Sequence, residues 1–315
     1  MADRFRREVT NPIKLNTTSY LQPAQQLYQW MIAELETDLK ARGIENLVFI
    51  LDARLRSLPI AALHDGKGFL IEHYSIGLMP SLNLVDTRYN NIKNSQILGM
   101  GASTFTDQNP LPAASEEVSL ITQQLWQGKS FMNQDFTFDR LQSARKDTPF
   151  GIIHLATHGE FKPGVPSNSY IQLSDRKLGL DEVRQLGWNN PPVELLVLSA
   201  CRTALGDEEA ELGFAGLAVQ AGVKTAVASL WYVSDEGTLA LMTEFYRQLR
   251  ESPIKAEALR RAQLALLTGK ARIEGGELRG SGENIPLPPE MANLGNKTLS
   301  HPYYWSAFTM IGSPW

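Results

Sequence analysis

The chain holds a single cysteine, Cys201, and five histidines, among them His158. Cys201 stands just past the apolar run Val193–Ser199, and His158 just past Phe150–Ala156. Neither run alternates with polar residues, the pattern of central strands covered on both faces. Chemistry in open parallel sheets gathers past the carboxyl ends of such strands. A free thiol of pKa ~8.5 is only a few per cent thiolate at neutral pH, and a neighbouring imidazole raises that fraction. The two residues are about 43 positions apart, one βαβ unit, so their strand ends can be neighbours. Alone, a buried cysteine reads as a small core hydrophobe, and a strand-end histidine as a packed side chain. Both at strand ends, with Gly159 directly after the histidine, read as a nucleophile and its base.

Other chemistries find less support. His154 and His158 suggest a metal pair, but their segment reads as strand and no third ligand accompanies them. No G-x-S-x-G elbow is present, and no G-x-x-x-x-G-K-[ST] loop. Gly99-Met100-Gly101 follows a strand, yet Thr104 occupies the place of a third glycine in a dinucleotide fingerprint. A phosphatase loop would put arginine where Asp207 stands. A formal charge of −4 argues against nucleic-acid binding, which leaves a basic footprint. No apolar run reaches the ~20 residues that span a bilayer. One cysteine excludes an internal disulfide framework and a multi-cysteine zinc site, and suits a reducing, cytoplasmic setting.

The elements that must position the pair follow an α/β order. A helix after Pro23 carries Leu27, Trp30, Met31, Leu35 and Leu39 and ends at Gly43. Leu47–Leu51 and Tyr74–Met79 read as buried strands, and Ser81 as the cap of a helix reaching about Asn91. The polar segment Asn90–Ser95 is the expected boundary, dividing the chain into residues 1–94 and 95–315. Beyond it, Ile97–Gly101 and Ser130–Met132 read as strands. Ala114, Val118, Ile121 and Leu125 mark one helix, Thr137–Arg145 another. Tyr170–Leu173 and a short helix at Asp181–Leu186 separate the two central strands. A small-residue helix, Gly213–Ala221, leads into the strand Thr225–Leu230. Helices follow at Glu236–Leu249 and Ile254–Thr268, then a Gly- and Pro-rich exposed loop over 270–300, then a strand at Tyr304–Ile311.

The segments His154-Leu-Ala-Thr-His158-Gly159-Glu160 and Leu198-Ser199-Ala200-Cys201-Arg202-Thr203 resemble the CHAT domain, a caspase-like module often found with tetratricopeptide repeats. Ala200-Cys201-Arg202 fits part of the caspase signature, with Ser199 and Thr203 replacing its glutamine and glycine. Leu58-Pro59-Ile60-Ala61-Ala62-Leu63, Pro80-Ser81, Leu230-Trp231 with Asp235, and His301-Pro302-Tyr303-Tyr304-Trp305 extend the resemblance from about residue 20 to the end.

The resemblance implies a mostly parallel caspase-like sheet flanked by helices, preceded by a smaller, inactive caspase-like half. It implies peptide-bond hydrolysis through a thioester, with no cofactor and no metal. Cys201 takes the nucleophile's place, His158 that of the general acid/base, and the N–H groups of Gly159 and Cys201 the oxyanion hole. The implied partners are a protein or peptide substrate and a tetratricopeptide or other helical region. In related peptidases the residue two before the nucleophile and the loop after the next strand shape the pocket for the acyl-side residue. Here those positions are Ser199 and Trp231–Asp235. Asp235 could select Arg or Lys through a charge-assisted hydrogen bond; it could equally cap the helix that starts at Glu236. Without its charge, Ser199 and Trp231 would leave an apolar pocket. The acidic stretch Asp207–Glu211 reads as a solvated loop. Two other functions use the same scaffold: a catalytically silent interaction module and a non-proteolytic thiol acyltransferase.

Overall fold

The computed structural model describes residues 1–52, 55–160, 169–179, 181–199, 214–232, 234–291 and 293–315. Its organising element is a sheet made from the apolar runs. The strands are β1 (Asn46–Phe49), β2 (Ser75–Leu78), β3 (Ile97–Gly101), β4 (Gly128–Met132) and β5 (Ile152–Ala156). Three short strands, β6 (Gly159–Glu160), β7 (Tyr170–Gln172) and β8 (Lys177–Gly179), form a separate antiparallel sheet. The main sheet resumes with β9 (Leu195–Ser199) and β10 (Thr225–Ser229). Strands β11 (Arg272–Glu274), β12 (Glu277–Arg279), β13 (Ile285–Pro286) and β14 (Lys297–Thr298) form a third sheet, and β15 (Phe308–Gly312) returns to the first.

The main sheet runs in the order β1-β2-β15-β10-β9-β5-β3-β4. Every neighbouring pair is parallel except β10 and β15. Hence β10, β9, β5, β3 and β4 share one direction, and β15, β2 and β1 the other. The expected boundary near residues 94–95 falls between β2 and β3, whose strands join this one sheet. Strands β3, β5, β9 and β10 are buried along their whole length, as their uninterrupted apolar character requires.

The helices are α1 (Ala2–Thr10), α2 (Leu21–Met31), α3 (Glu36–Ala41), α4 (Leu70–His73), α5 (Pro112–Leu120), α6 (Phe138–Asp147), α7 (Phe214–Gln220), α8 (Asp235–Glu251), α9 (Lys255–Leu267) and α10 (Pro302–Trp305). Helix α5 packs on β3, β5 and α8, and α8 packs on α9. Helix α6 is tied to the turn before β9, where the buried Arg145 donates to the carbonyls of Leu186, Gly187 and Pro191 and lies over the Trp188 ring. Burial pulls the Arg145 guanidinium below its ordinary pKa, and those carbonyls supply its compensation. The α5 and α6 crossovers run in opposite directions along the sheet, so right-handed connection puts them on opposite faces.

Gly99 and Gly101 have a packing explanation. A Cβ on Gly99 would lie 2.9 Å from Val118 Cγ1 on α5, and one on Gly101 2.4 Å from the carbonyl oxygen of Ala156. The first lets α5 settle on β3, and the second lets β3 approach the end of β5.

Four local expectations are corrected. The long first helix breaks at Ile32 (φ −124°), whose side chain turns into the core. Beyond Ser81 only Leu82–Leu84 forms a helical turn; Asp86 then accepts from the Arg88 N–H, a side-chain bond that competes with helix. Residues 270–300 are no exposed loop: they bury Ile273, Leu278, Ile285, Met291 and Leu299 around the third sheet. Pro302 starts a helical turn capped by the His301 side chain, so the last strand begins only at Phe308.

Among the described residues, no helix is long and apolar enough to cross a membrane, and no group of three His, Cys, Asp or Glu is placed to hold a metal ion. Leu27 is buried in the core, whereas Trp30 is 63% exposed.

Candidate active site

Strands β5 and β9 are direct parallel neighbours in register, with Ala156 opposite Ser199. Both run the same way, so Thr157-His158 leaves the sheet beside the exit of β9. Cys201 stands two residues past Ser199 in sequence, as His158 stands two past Ala156. Cys201 and the acidic stretch Asp207–Glu211 lie outside the described residues.

Three contacts hold His158. The Thr157 N–H donates to the Ser199 carbonyl at 3.3 Å, and the Thr157 hydroxyl to the Gln172 carbonyl at 2.5 Å. The Gln172 N–H donates to the His158 carbonyl at 2.9 Å. The ring itself is fixed by Nε2, which lies 2.7 Å from the Asn109 carbonyl oxygen, and by the Phe105 ring, edge-on at 4.6 Å between centroids. A carbonyl only accepts, so Nε2 carries a proton and donates. In the neutral ring, Nδ1 is then the basic nitrogen. No side-chain pattern could have announced this partner, because it is a backbone oxygen on the loop after β3.

Gly159 faces Ile171 across β6 and β7. The bond from Gln172 N to His158 O marks this as a non-hydrogen-bonded pair of the ladder, so the Gly159 N–H is directed away from β7.

Ser199 and Asp235 come together. They line one cleft with Glu117, Thr157 and Ser229 on the α5–α8 side of the sheet. Its floor is a row across neighbouring strands: Ala156 pairs with Ser199, the β9–β10 register carries that row on to Ser229, and Ser229 pairs with Phe308. Trp231 does not belong to this lining. Its indole is buried and donates to the Tyr303 carbonyl at 3.1 Å, tying the end of β10 to α10. A wider cleft, about 460 Å³, lies on the Phe105 side and is lined by Gln108, Asn133, Tyr170, Gln172 and Lys177.

Asp235 is not the cap of α8. Ser234 is, its side chain accepting from the Gly237 N–H, and Asp235 occupies the first helical position. Its carboxylate instead accepts from the Ala113 N–H in the first turn of α5. Burial raises its pKa to about 6, and the charges of Glu117 and Glu236 push the same way, against the Ala113 bond.

Glu117, missed by the sequence reading, sits one turn beyond Ala113 and is 2% exposed. Its Oε1 lies 2.8 Å from His154 Nε2, and His154 Nδ1 lies 3.1 Å from the Tyr246 hydroxyl. Burial holds the Tyr246 phenol well above its ordinary pKa, reinforced by Glu117. A carboxylate only accepts, so Nε2–H donates to Glu117, and Nδ1 shares its hydrogen bond with the protonated Tyr246 hydroxyl.

This geometry defines a caspase-like α/β scaffold with a histidine and a carboxylate-bearing cleft at the carboxyl ends of its central strands. Gingipain R, an Arg-specific cysteine proteinase, is similar, with 12% identity, a TM-score of 0.56 and coverage of 99% of this chain and 74% of that one. The complex of the pro- and mature domains of Porphyromonas gingivalis RgpB is similar at 11% identity and a TM-score of 0.55, covering 99% of this chain and 75% of that one. Separase in the Saccharomyces cerevisiae separase–securin complex is similar at 12% identity and a TM-score of 0.55; there the match covers 91% of this chain but only 17% of that one. The CHAT domain model matches residues 21–313, and the chain belongs to that family. No curated protein matches it in sequence.

A stability measurement tests the Asp235 environment without reference to catalysis. Its pKa stands above the ordinary 3.8, so between the two values the folded state holds a proton the unfolded state has released. Stability from this group therefore falls as pH rises through that window, and the cost is constant above it. Asp235→Asn should stabilise the protein by about 2 kcal/mol at neutral pH, the cost of ionising this buried carboxyl reduced for partial solvent screening. The gain should vanish below the ordinary aspartate range. Urea denaturation at both pH values checks this, and an equal loss of stability at both would refute it.

Proposed function

We propose that the chain is a cysteine endopeptidase, with Cys201 as nucleophile and His158 as general acid/base. The observation that carries this is the register of β5 and β9: Ala156 and Ser199, each two residues before His158 and Cys201 in sequence, pair at the carboxyl ends of adjacent parallel strands. The Asn109 carbonyl leaves His158 Nδ1 as the nitrogen able to take the thiol proton. The thiolate then attacks the scissile carbonyl, and the N–H groups of Gly159 and Cys201 stabilise the oxyanion. Such a donor is typically worth about 10²–10³ in rate. His158 returns the proton to the leaving amine, which departs to give a thioester, and water hydrolyses that ester. The outward turn of the Gly159 N–H supports its part.

Cys201→Ala and His158→Ala should each reduce cleavage of a peptide substrate to below about one per cent, with the double variant little worse than either single one. Retained cleavage by Cys201→Ala sinks the mechanism. Labelling of the wild type by a peptide acyloxymethyl ketone without any peptide cleavage would point instead to a non-proteolytic thiol acyltransferase, and no labelling to a silent module.

The cleft beside β9 is the proposed site for the acyl-side residue. Ser199 and Asp235 both face it, which favours a basic side chain. Profiling with a fluorogenic peptide library should give Arg or Lys at that position, and Asp235→Ala should lower kcat/KM for it by at least about tenfold, the loss of a charge-assisted pair. An apolar preference unchanged by Asp235→Ala would reverse the assignment.

The proposed helical partner would meet α2 on its Trp30 side, since Leu27 is already packed within the domain. Trp30→Glu should leave the thermal midpoint unchanged and weaken a complex with a tetratricopeptide region. Unimpaired binding in a pull-down with purified components would remove α2 from that interface.

A further inference from the structure

The cleft at Asp235 contains a second acid that the peptidase reading does not use. Glu117 projects from α5 toward the same space, and its charge is one of the causes that raise the Asp235 pKa. It is held in place from behind. His154, fully buried on β5, donates to one oxygen of Glu117, and Tyr246, fully buried on α8, satisfies the far nitrogen of His154. Three elements thus fix one carboxylate at the inner wall of a solvent-reaching cleft. On the floor, Ser199 is 7% exposed and adds its hydroxyl to the same lining. Two carboxylates and a hydroxyl converging on one cleft make a place for a polar group that donates in several directions.

We infer that Glu117 is a specificity-determining residue, and that it makes the cleft selective for a guanidinium over an ammonium. This rests on the reading of the cleft as the site of a basic side chain. The planar guanidinium presents five donors in a rigid fork, enough to bridge Asp235 and Glu117 at once. An ammonium is a compact, strongly hydrated charge that satisfies one carboxylate well and two poorly. Bridging also changes the proton balance. In the empty cleft the two acids repel, and Asp235 gives up its proton reluctantly; an entering guanidinium neutralises that repulsion and releases it. The other charged groups around Asp235 do not compete for this role. Glu236 is paired with Lys297 away from Glu117, and His154 already donates to Glu117.

The test needs no catalysis. The whole chain, labelled with carbon-13 at its Asp and Glu carboxyls, is titrated with pH alone, with n-propylguanidine and with n-butylamine, the bare side-chain ends of arginine and lysine. The guanidine at millimolar concentration should lower the apparent Asp235 pKa, with the amine binding about tenfold more weakly. In Glu117→Gln the Asp235 pKa should fall without any ligand, and the preference for guanidine should disappear. Should that variant fail to fold, Glu117→Asp, which keeps the charge and shortens its reach, should keep binding both probes while losing the preference. Equal binding of the two probes by the wild type overturns the inference, as does no response to either. So does a guanidine preference that survives in Glu117→Gln. Probe binding by a chain that cleaves no peptide would defeat the peptidase reading alone, and peptide cleavage without guanidine preference would defeat this inference alone.

Discussion

The arrangement depends on the register between β5 and β9. Side chains on a strand alternate between faces, so slipping the pairing by one residue would exchange every inward and outward group. His154, Ala156 and Ser199 would then leave the α5–α8 face, and both the buried hydrogen bonds and the cleft floor would be lost. What fixes the register is burial on both sides: Ile153, Leu155, Leu196 and Leu198 have no solvent-facing alternative. The absence of a Cβ at Gly101 adds a steric condition, since β3 can sit against Ala156 only there.

Around that register, polar groups are paired in a definite order outward from the core. Tyr246 and His154 are sealed, Glu117 is sealed at one oxygen, and Asp235 and Ser199 reach the opening. Buried hydrogen-bond chains of this kind are costly when incomplete, so the cleft inherits the rigidity of the core behind it. On the other side of His158, Asn109 belongs to a loop pinned at both ends. Ser103 donates to the Asn133 side chain, and Gln108 donates to Tyr170. The histidine is therefore oriented by a loop that is itself anchored.

Much of this was legible in the sequence because it is local. The apolar runs of β3, β5, β9 and β10 and the strand-end position of His158 follow from short motifs, while the grouping of Ser199 with Asp235 came only through the family resemblance. The parts that escaped are non-local or lack a side-chain signature. Glu117, His154 and Tyr246 lie on three elements far apart in sequence; Glu117 and Tyr246 each read as an ordinary residue, and His154 pointed toward a metal rather than toward these partners. Asn109 acts through its carbonyl, which any residue could supply. The third sheet escaped because strands of two or three residues, half of them charged, carry too few apolar positions to show a period. Asp235 misled for another reason: aspartate beside a helix start is a favoured cap, and Ser234, one residue earlier, took that role.

The position of β15 bears on how the chain comes together during synthesis. Among the described residues it lies between β2 and β10 in the main sheet, and it follows both in sequence. A ribosome therefore delivers each of those strands before the one that covers its open side. Until β15 inserts, two rows of unpaired backbone N–H and C=O groups stand exposed, the kind of edge that recruits foreign strands. Such long-range pairing also forms slowly, because the entropy of closing the intervening chain must be met first. The nascent protein thus passes through an interval in which its two sheet portions have formed but are not joined, and in which chaperone binding would find its natural target.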